Sequence, residues 1–259
     1  MRYLLLIAVL GICFFPAASQ EADDLLLGSD SIQDVILRKE KGGGLILHTL
    51  GWGGQYRQGV AQTAFRKRLL EFDLVSMKSP KEIKTVNPYF SNARSYVFGK
   101  MNSVMIARGG YSIHRQLNRK PRDGGIEVRY FAGAGASLAF AKPVYLRIIR
   151  FASSIYEYEI TTERYDPDDH QVENIYGRES FLKGIEKTTL HPGVYGRFGF
   201  NFDYSAEHER IRSLEIGTIV DVYPFFPVEI MAFNPKDHYY INFYLSFNIG
   251  QRYNRLEDN

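Results

Sequence analysis

The clearest pattern along the chain is strict two-residue alternation. It is sharpest near the C-terminus, in HYYINFYLSFNIGQRY, residues 238–253. Tyr239, Ile241, Phe243, Leu245, Phe247 and Ile249 share one face, and Tyr240, Asn242, Tyr244, Ser246, Asn248 and Gly250 share the other. Alternation with period two is a β-strand with one apolar side. In a soluble sandwich the polar side usually carries Lys or Glu; Asn, Ser, Gly and Tyr suit an enclosed, hydrogen-bonded interior. The apolar face runs from Ile241 to Ile249 with Tyr near each end. A tilted transmembrane strand needs about 9–11 residues with aromatic girdles at the interfaces. The stretch predicts the closing strand of an outer-membrane β-barrel.

The same alternation recurs upstream. Residues 44–56 read as a first strand, with Trp52 and Tyr56 as interfacial aromatics. Residues 63–77 read as a second, with Leu70, Phe72 and Leu74 facing one way and Lys67, Leu69, Glu71 and Asp73 the other. Residues 89–100 and 103–115 give two more, joined by a tight turn at 100–102; the second sets Arg108, Ser112 and His114 on its polar face. A turn at 118–125, NRKPRDGG, precedes the longest strand, with Glu127 and Arg129 on its polar side. Residues 144–151 read as its continuation above the membrane, and 152–190 as the longest loop. Residues 193–204 set Arg197, Asn201 and Asp203 against Phe198, Phe200 and Phe202, and 210–223 set Glu215 and Asp221 against Ile216 and Val220. After a loop at 224–237 comes the final strand.

The count is eight, or ten if the large loop hides a hairpin. The fold class is all-β, an antiparallel transmembrane β-barrel spanning residues 44–254. An even count sets both termini in the periplasm. It places the loops 152–190 and 224–237 outside and the short connections 118–125 and 205–209 inside. The long segment 78–88 is then an exception on the periplasmic side. A secreted, soluble all-β protein is the alternative; it must explain why four strands share apolar faces of transmembrane length.

The ends of the chain sharpen this picture. Residues 1–19, MRYLLLIAVLGICFFPAAS, have the positive start, short apolar run and small-residue site of a secretory signal peptide, cleaved near Ser19. The single cysteine, Cys13, follows Ile12 rather than the small residue of a lipid-attachment box, so the mature chain has no cysteine. Residues 20–43 are polar and mixed. They read as a periplasmic lead-in, a short plug or a tail without structure, and 255–259 as a C-terminal tail. The 18 Tyr, 18 Phe and 23 Gly fit a barrel, and a formal charge of +3 is too balanced to imply a nucleic-acid partner.

Chemistry is sparse. The mature histidines stand in no nucleophile-like Ser-His context, so no catalytic residues and no cofactor are expected, and the histidines read as girdle or loop groups. Asp166, Asp168, Asp169 and His170 offer hard ligands for a cation, but the spacing lacks the Gly and distal Glu of a calcium loop, and a solvated acidic loop is the better reading. No metal site is expected. The best-founded constellation is luminal: Lys67, Glu71, Asp73, Arg108, Glu127, Arg129, Arg197, Asp203, Glu215 and Asp221 mix both signs. An eight-stranded barrel has an interior only wide enough for side chains, so these charges must pair. Arg66 and Arg68 fall on the lipid face, at the outer end of their strand in this topology, where Arg can meet lipopolysaccharide phosphates.

YVFGKMNS (96–103), GGIEVRYFAGAGASLAFAKPVYL (124–146), YGRESFLKGI (176–185) and YLSFNIGQRYN (244–254) carry a resemblance to small outer-membrane β-barrel proteins of Bacteroidota, and more loosely to barrel subunits of type IX secretion. The resemblance implies a fold and a membrane but no activity. The expected role is that of a structural or scaffold barrel of a Gram-negative cell envelope with a plugged polar lumen. Its expected partners are outer-membrane lipid, lipopolysaccharide and an envelope protein complex. A narrow channel or small-solute transporter and a lipid-modifying enzyme are the alternatives.

Overall fold

The computed structural model describes residues 39–63, 65–90, 92–118, 125–151, 158–207, 209–232 and 238–253. Residues 1–19, read as a signal peptide, most of the 20–43 segment and the tail lie outside them. In chain order the strands are β1 (Lys39–His48), β2 (Gly51–Ala61), β3 (Arg66–Met77), the two-residue β4 (Lys84–Thr85) and β5 (Tyr96–Val97), β6 (Asn102–Gln116) and β7 (Glu127–Pro143). They continue with β8 (Tyr145–Phe151), β9 (Tyr158–Arg164), β10 (Ile175–Arg178), β11 (Thr189–Asp203), β12 (Arg210–Val222) and β13 (Tyr239–Tyr253). Eight of them close into a barrel in the order β1-β13-β12-β11-β7-β6-β3-β2, every pair antiparallel. No helix among the described residues is long and apolar enough to cross a membrane.

Alternation fixes the two faces of the wall. On β3, Leu70, Phe72 and Leu74 point out and are exposed, while Lys67, Leu69, Glu71, Asp73 and Val75 point in and are buried. On β13, Phe243, Phe247 and Ile249 point out, Ile249 with 72% of its surface free, while Tyr244, Ser246 and Asn248 are buried inside. A wall of exposed Leu, Phe and Ile around a buried polar interior inverts a water-soluble protein. Such a surface is stabilised by lipid rather than water.

The count of eight holds, but two strand assignments do not. Residues 44–56 are the β1–β2 hairpin, not one strand: His48 faces Gly51 across the two-residue connection Thr49-Leu50. The connection shifts the alternation by one, so that Leu45 and Leu47 face outward on β1 but Trp52 and Tyr56 on β2; Gly51, Gly53 and Gly54 carry no side chains to mark the change. The barrel also begins at Lys39, inside the stretch read as a periplasmic lead-in. Residues 89–100, read as a barrel strand, contribute only β5, which pairs with β4 outside the wall. There Asn87 breaks the extended chain, accepting from the Tyr89 backbone N–H and donating to the Ile175 carbonyl.

These corrections reverse part of the topology. Connections 62–65, 117–126 and 204–209 lie at the end that carries the chain's entry into β1 and exit from β13, here the turn end. The segments 78–101, 144–188 and 223–238 lie at the opposite, loop end, together with the Thr49-Leu50 connection. Residues 78–88 are therefore part of a loop-end excursion, and every long connection is on one side.

The loop end has cores of its own. β8, β9 and β10 form a three-stranded sheet outside the barrel, so 144–151 opens a separate sheet and residues 189 and 190 return to the wall. The large loop does hold a hairpin, but outside the barrel, which keeps the count at eight. Leu146, Ile148, Tyr165 and Ile175 of this module pack with Tyr96 from the 78–101 excursion. Phe90 meets Tyr176 edge-on at 5.2 Å between centroids. The third excursion turns inward: Val228, Ile230 and Met231 join Val75, Met77, Val104, Ile106 and Ile219 in an apolar plug of the barrel mouth. Its backbone is tied down by Met101 N–H to Ile230 O at 2.9 Å, Ala232 N–H to Gly99 O at 2.7 Å and Tyr240 O–H to Val228 O at 2.7 Å.

Candidate functional site

All ten luminal charges expected from the sequence point inward, eight of them buried and Glu127 and Arg129 half-buried at the turn end. The centre is one connected network. Arg197, on β11, donates to Glu71 at 2.7 Å and to Asp73, both on β3 across the lumen. Arg57, on β2, grips Glu215 of β12 with two hydrogen bonds at 2.5 and 2.6 Å and lies 3.4 Å from Glu71. Tyr244 donates to Glu215 at 2.5 Å, and its ring lies 5.5 Å from the Arg197 guanidinium. Planar guanidinium forks facing carboxylates in this way satisfy several donors at once, which buried charges require.

Above this centre, Arg108 of β6 forms a bidentate pair with Asp221 of β12 at 2.8 and 2.7 Å. His48 lies beside it, 3.3 Å from the Asn242 amide oxygen. Below, Lys67 donates to Glu40 at 2.9 Å, Arg252 pairs with Asp203, and Arg129 with Glu127. Small residues make room for this filling. Gly199 and Gly217 face each other across β11 and β12. A Cβ at Gly217 would stand 2.9 Å from the Tyr244 ring, and one at Gly199 2.8 Å from the Phe131 ring.

Four members of the network lie beyond the ten charges expected from the sequence. Arg57 lies one residue past the expected end of the first strand at Tyr56, and Glu40 four residues before its expected start at Gly44. Both lie in phase with the inward positions of the hairpin, so extending the alternation would have found them. Arg252, also in phase on β13, was passed over. The fourth, His114, is luminal and fully buried, stacked on Phe131 at 4.9 Å, not a girdle residue; His48 also faces the lumen.

His114 brings a Ser, a His and an acid together: its Nε2 is 3.2 Å from Ser112 Oγ and 3.8 Å from Glu71 Oε1. Both partners face the same ring nitrogen, whereas a triad sets nucleophile and acid on opposite ones. All three residues are buried.

Arg66 and Arg68 do point to the lipid side, but at the turn end, where β3 leaves the 62–65 connection. Their placement at the loop end is corrected, because the missed hairpin inverts the direction of β3.

In the loop module, Glu163, Asp169 and His170 bring their ligand atoms within 4.8 Å of one another. The donors are already committed. Arg150 bridges both carboxylates, at 2.6 Å to Glu163 and 2.7 Å to Asp169. His170 Nδ1 accepts the Asp166 backbone N–H at 2.9 Å. Its Nε2 must then carry the hydrogen, and it donates to Glu163 at 3.2 Å. The guanidinium is the cation of this cluster. Hydrogen bonds from Arg150 hold the Glu163 carboxyl at about 2, and those from Arg147 do the same for Glu179.

The closed barrel, apolar wall and ion-filled lumen define a β-barrel of the outer-membrane type. No protein-family model matches the chain, and no curated protein is significantly similar to it. Among solved structures it is similar to Neisserial surface protein A, with 9% identity over 83% of this chain and 95% of that one and a TM-score of 0.36. It is also similar to the attachment invasion locus protein of Yersinia pestis, with 8% identity over 83% of this chain and 97% of that one and the same TM-score. Likeness this distant says nothing about the role of either lumen or loops.

Proposed function

We propose that the protein is a structural or scaffold barrel of a Gram-negative outer membrane, a folded platform for its loop module rather than a pore or an enzyme. The observation that carries this reading is the Arg57–Glu215–Arg197–Glu71–Asp73 network, which joins opposite walls at the level of the bilayer. Solute transport needs a lumen wider than this, and eight strands leave room only for side chains. An enzyme needs a reachable nucleophile, and the Ser112, His114 and Glu71 grouping is buried in the lumen. In this reading residues 1–19 direct export, the turn end faces the periplasm and the loop module faces outward. Lipopolysaccharide then meets the loop-end rim. The Bacteroidota likeness fits such a barrel, and a place in an envelope complex fits a surface module with its own core.

Fractionation tests the membrane assignment. The protein is expected in the outer membrane, migrating faster on a gel unheated than boiled; recovery in the soluble periplasm contradicts the reading. The platform role is tested by replacing residues 164–183 with a Gly/Ser linker. Heat-modifiability should survive, and any protein that co-purifies with the intact chain should be lost. Full retention of partners would move recognition to the 78–101 excursion.

A further inference from the structure

The outward face of the turn end is unlike the rest of the wall. Lys41 on β1, Arg66 and Arg68 on β3, Arg115 on β6, and Arg210 and Arg212 on β12 all point outward there. The acids of this end of the wall, Glu40, Glu127 and Asp203, point into the lumen and are paired there. Outward positions at the loop end carry mainly Trp52, Met105, Leu190 and Tyr239. Arg66 stands directly opposite Arg115 on the neighbouring strand. Like charges so placed repel, and an anion beside them relieves the repulsion. Arg66 Nε is buried without a hydrogen-bond partner among the described residues.

One sector of this collar also has a shape. A groove of about 450 Å³ runs along the outside of β2, β1, β13 and β12. Its floor is Gly43, whose missing side chain leaves a channel between Tyr56 and Ile249, its neighbours across the two ladders. At the turn end the groove meets Lys41, Arg210 and Arg212. Lys41 and Arg210 flank Gln251 in one row, and Arg212 flanks Ile249 in the next. Strands lie about 4.8 Å apart and residues two along a strand about 7 Å apart, so the three cations surround a space the size of one phosphate headgroup. Arg210 also touches Glu207 at 3.0 Å, an exposed pair in the adjoining turn. Such pairs contribute little and yield readily to a competing anion.

We propose that the turn end carries a binding site for an anionic phospholipid, its phosphate held by Lys41, Arg210 and Arg212 and one acyl chain lying in the groove floored by Gly43. The apolar length of the groove continues the lipid-facing wall, and its cationic end complements the headgroup. The other cations of the collar, around Arg66 and Arg115, favour the same leaflet and fix which end of the barrel lies in it.

This inference rests on the bilayer reading above. The full chain is reconstituted in nanodiscs that mix phosphatidylglycerol and phosphatidylethanolamine with identical acyl chains, and retained lipid is counted by native mass spectrometry. The unaltered protein should retain phosphatidylglycerol about tenfold over phosphatidylethanolamine, and the Lys41→Gln/Arg210→Gln/Arg212→Gln variant should bring the two within about twofold. Gly43→Leu should reduce phosphatidylglycerol retention with all charges in place. A Cβ there meets only the Gln55 carbonyl, at 3.3 Å, a contact relieved by a shift of a few tenths of an ångström, and heat-modifiability of the variant checks that the barrel is intact. Equal retention of both lipids by the unaltered protein, or an undiminished preference in the triple variant, overturns the site. So does displacement of phosphatidylglycerol by added lipopolysaccharide, which would assign the collar to the other leaflet. A heat-modifiable barrel without lipid preference defeats the site alone, whereas a chain that never enters bilayers defeats the bilayer reading with it.

Discussion

The middle of the lumen and its mouth are filled with opposite chemistry. Arg57, Arg197, Glu71, Asp73 and Glu215 fill the first, and Val75, Met77, Ile106, Val228 and Ile230 fill the second. Both exclude water and solute, but they fail differently. A charge network holds only while every member has its partner, because an uncompensated buried charge costs far more than the pair contributes. An apolar plug loses only the contacts of the atoms removed. The difference teaches which part of the barrel is sensitive to single changes, and it separates the wall-to-wall network from a loop that merely folds over the opening.

Breaking the network should have the largest effect. Arg197→Leu leaves Glu71 and Asp73 facing an apolar side chain and should destabilise by about 3–5 kcal/mol, read by urea unfolding from vesicles. Adding Glu71→Gln and Asp73→Asn should recover most of that loss, since no unpaired charge remains. Placing a charge on the opposite face is next: Phe200→Arg, on the exposed side of β11, should cost about 2–4 kcal/mol near the bilayer midplane. Equal tolerance of the two changes would mean that the faces are reversed. In the mouth, Val228→Ala should cost only about 1–2 kcal/mol, the transfer free energy of the methyl groups it removes.

The smallest effect belongs to acid. Glu163 and Glu179 are held at about 2, below their ordinary value of 4.5. Depressed carboxyls contribute stability that is present above the ordinary value and lost as pH falls through the folded one. The β8–β10 sheet should therefore loosen between about pH 4.5 and 2, read as rising proteolysis of 144–188, while heat-modifiability persists.

Much of this was legible in the sequence. The faces of β3, β6, β7, β11, β12 and β13 follow directly from alternation, and with them all ten predicted luminal charges. The hairpin at Thr49-Leu50 was not legible, because the shift of phase it causes falls on Gly51, Gly53 and Gly54, which carry no side chains to mark it. The same slip cost Arg57 and Glu40 and turned β3 end for end, carrying Arg66 and Arg68 to the wrong side. Residues 89–100 misled for the opposite reason: Phe90, Tyr96 and Phe98 have a strand's composition, but they pack in the loop module. The inward fold of Val228, Ile230 and Met231 has no local signature. Their apolar side chains pack in one cluster with Met77, Ile106 and Tyr240, which are distant in sequence.

The central claim, that the charge network rather than the loops closes the barrel, is tested most directly by conductance across a planar lipid bilayer. A variant with residues 224–232 replaced by a Gly/Ser linker removes the loop's part of the apolar plug, Val228, Ile230 and Met231, and leaves the Arg57–Glu215–Arg197–Glu71–Asp73 network in place. Both this variant and the unaltered protein should insert without discrete current steps. Stable single-channel steps from the variant would show that the loop is the seal, and steps from the unaltered protein would show that the lumen conducts.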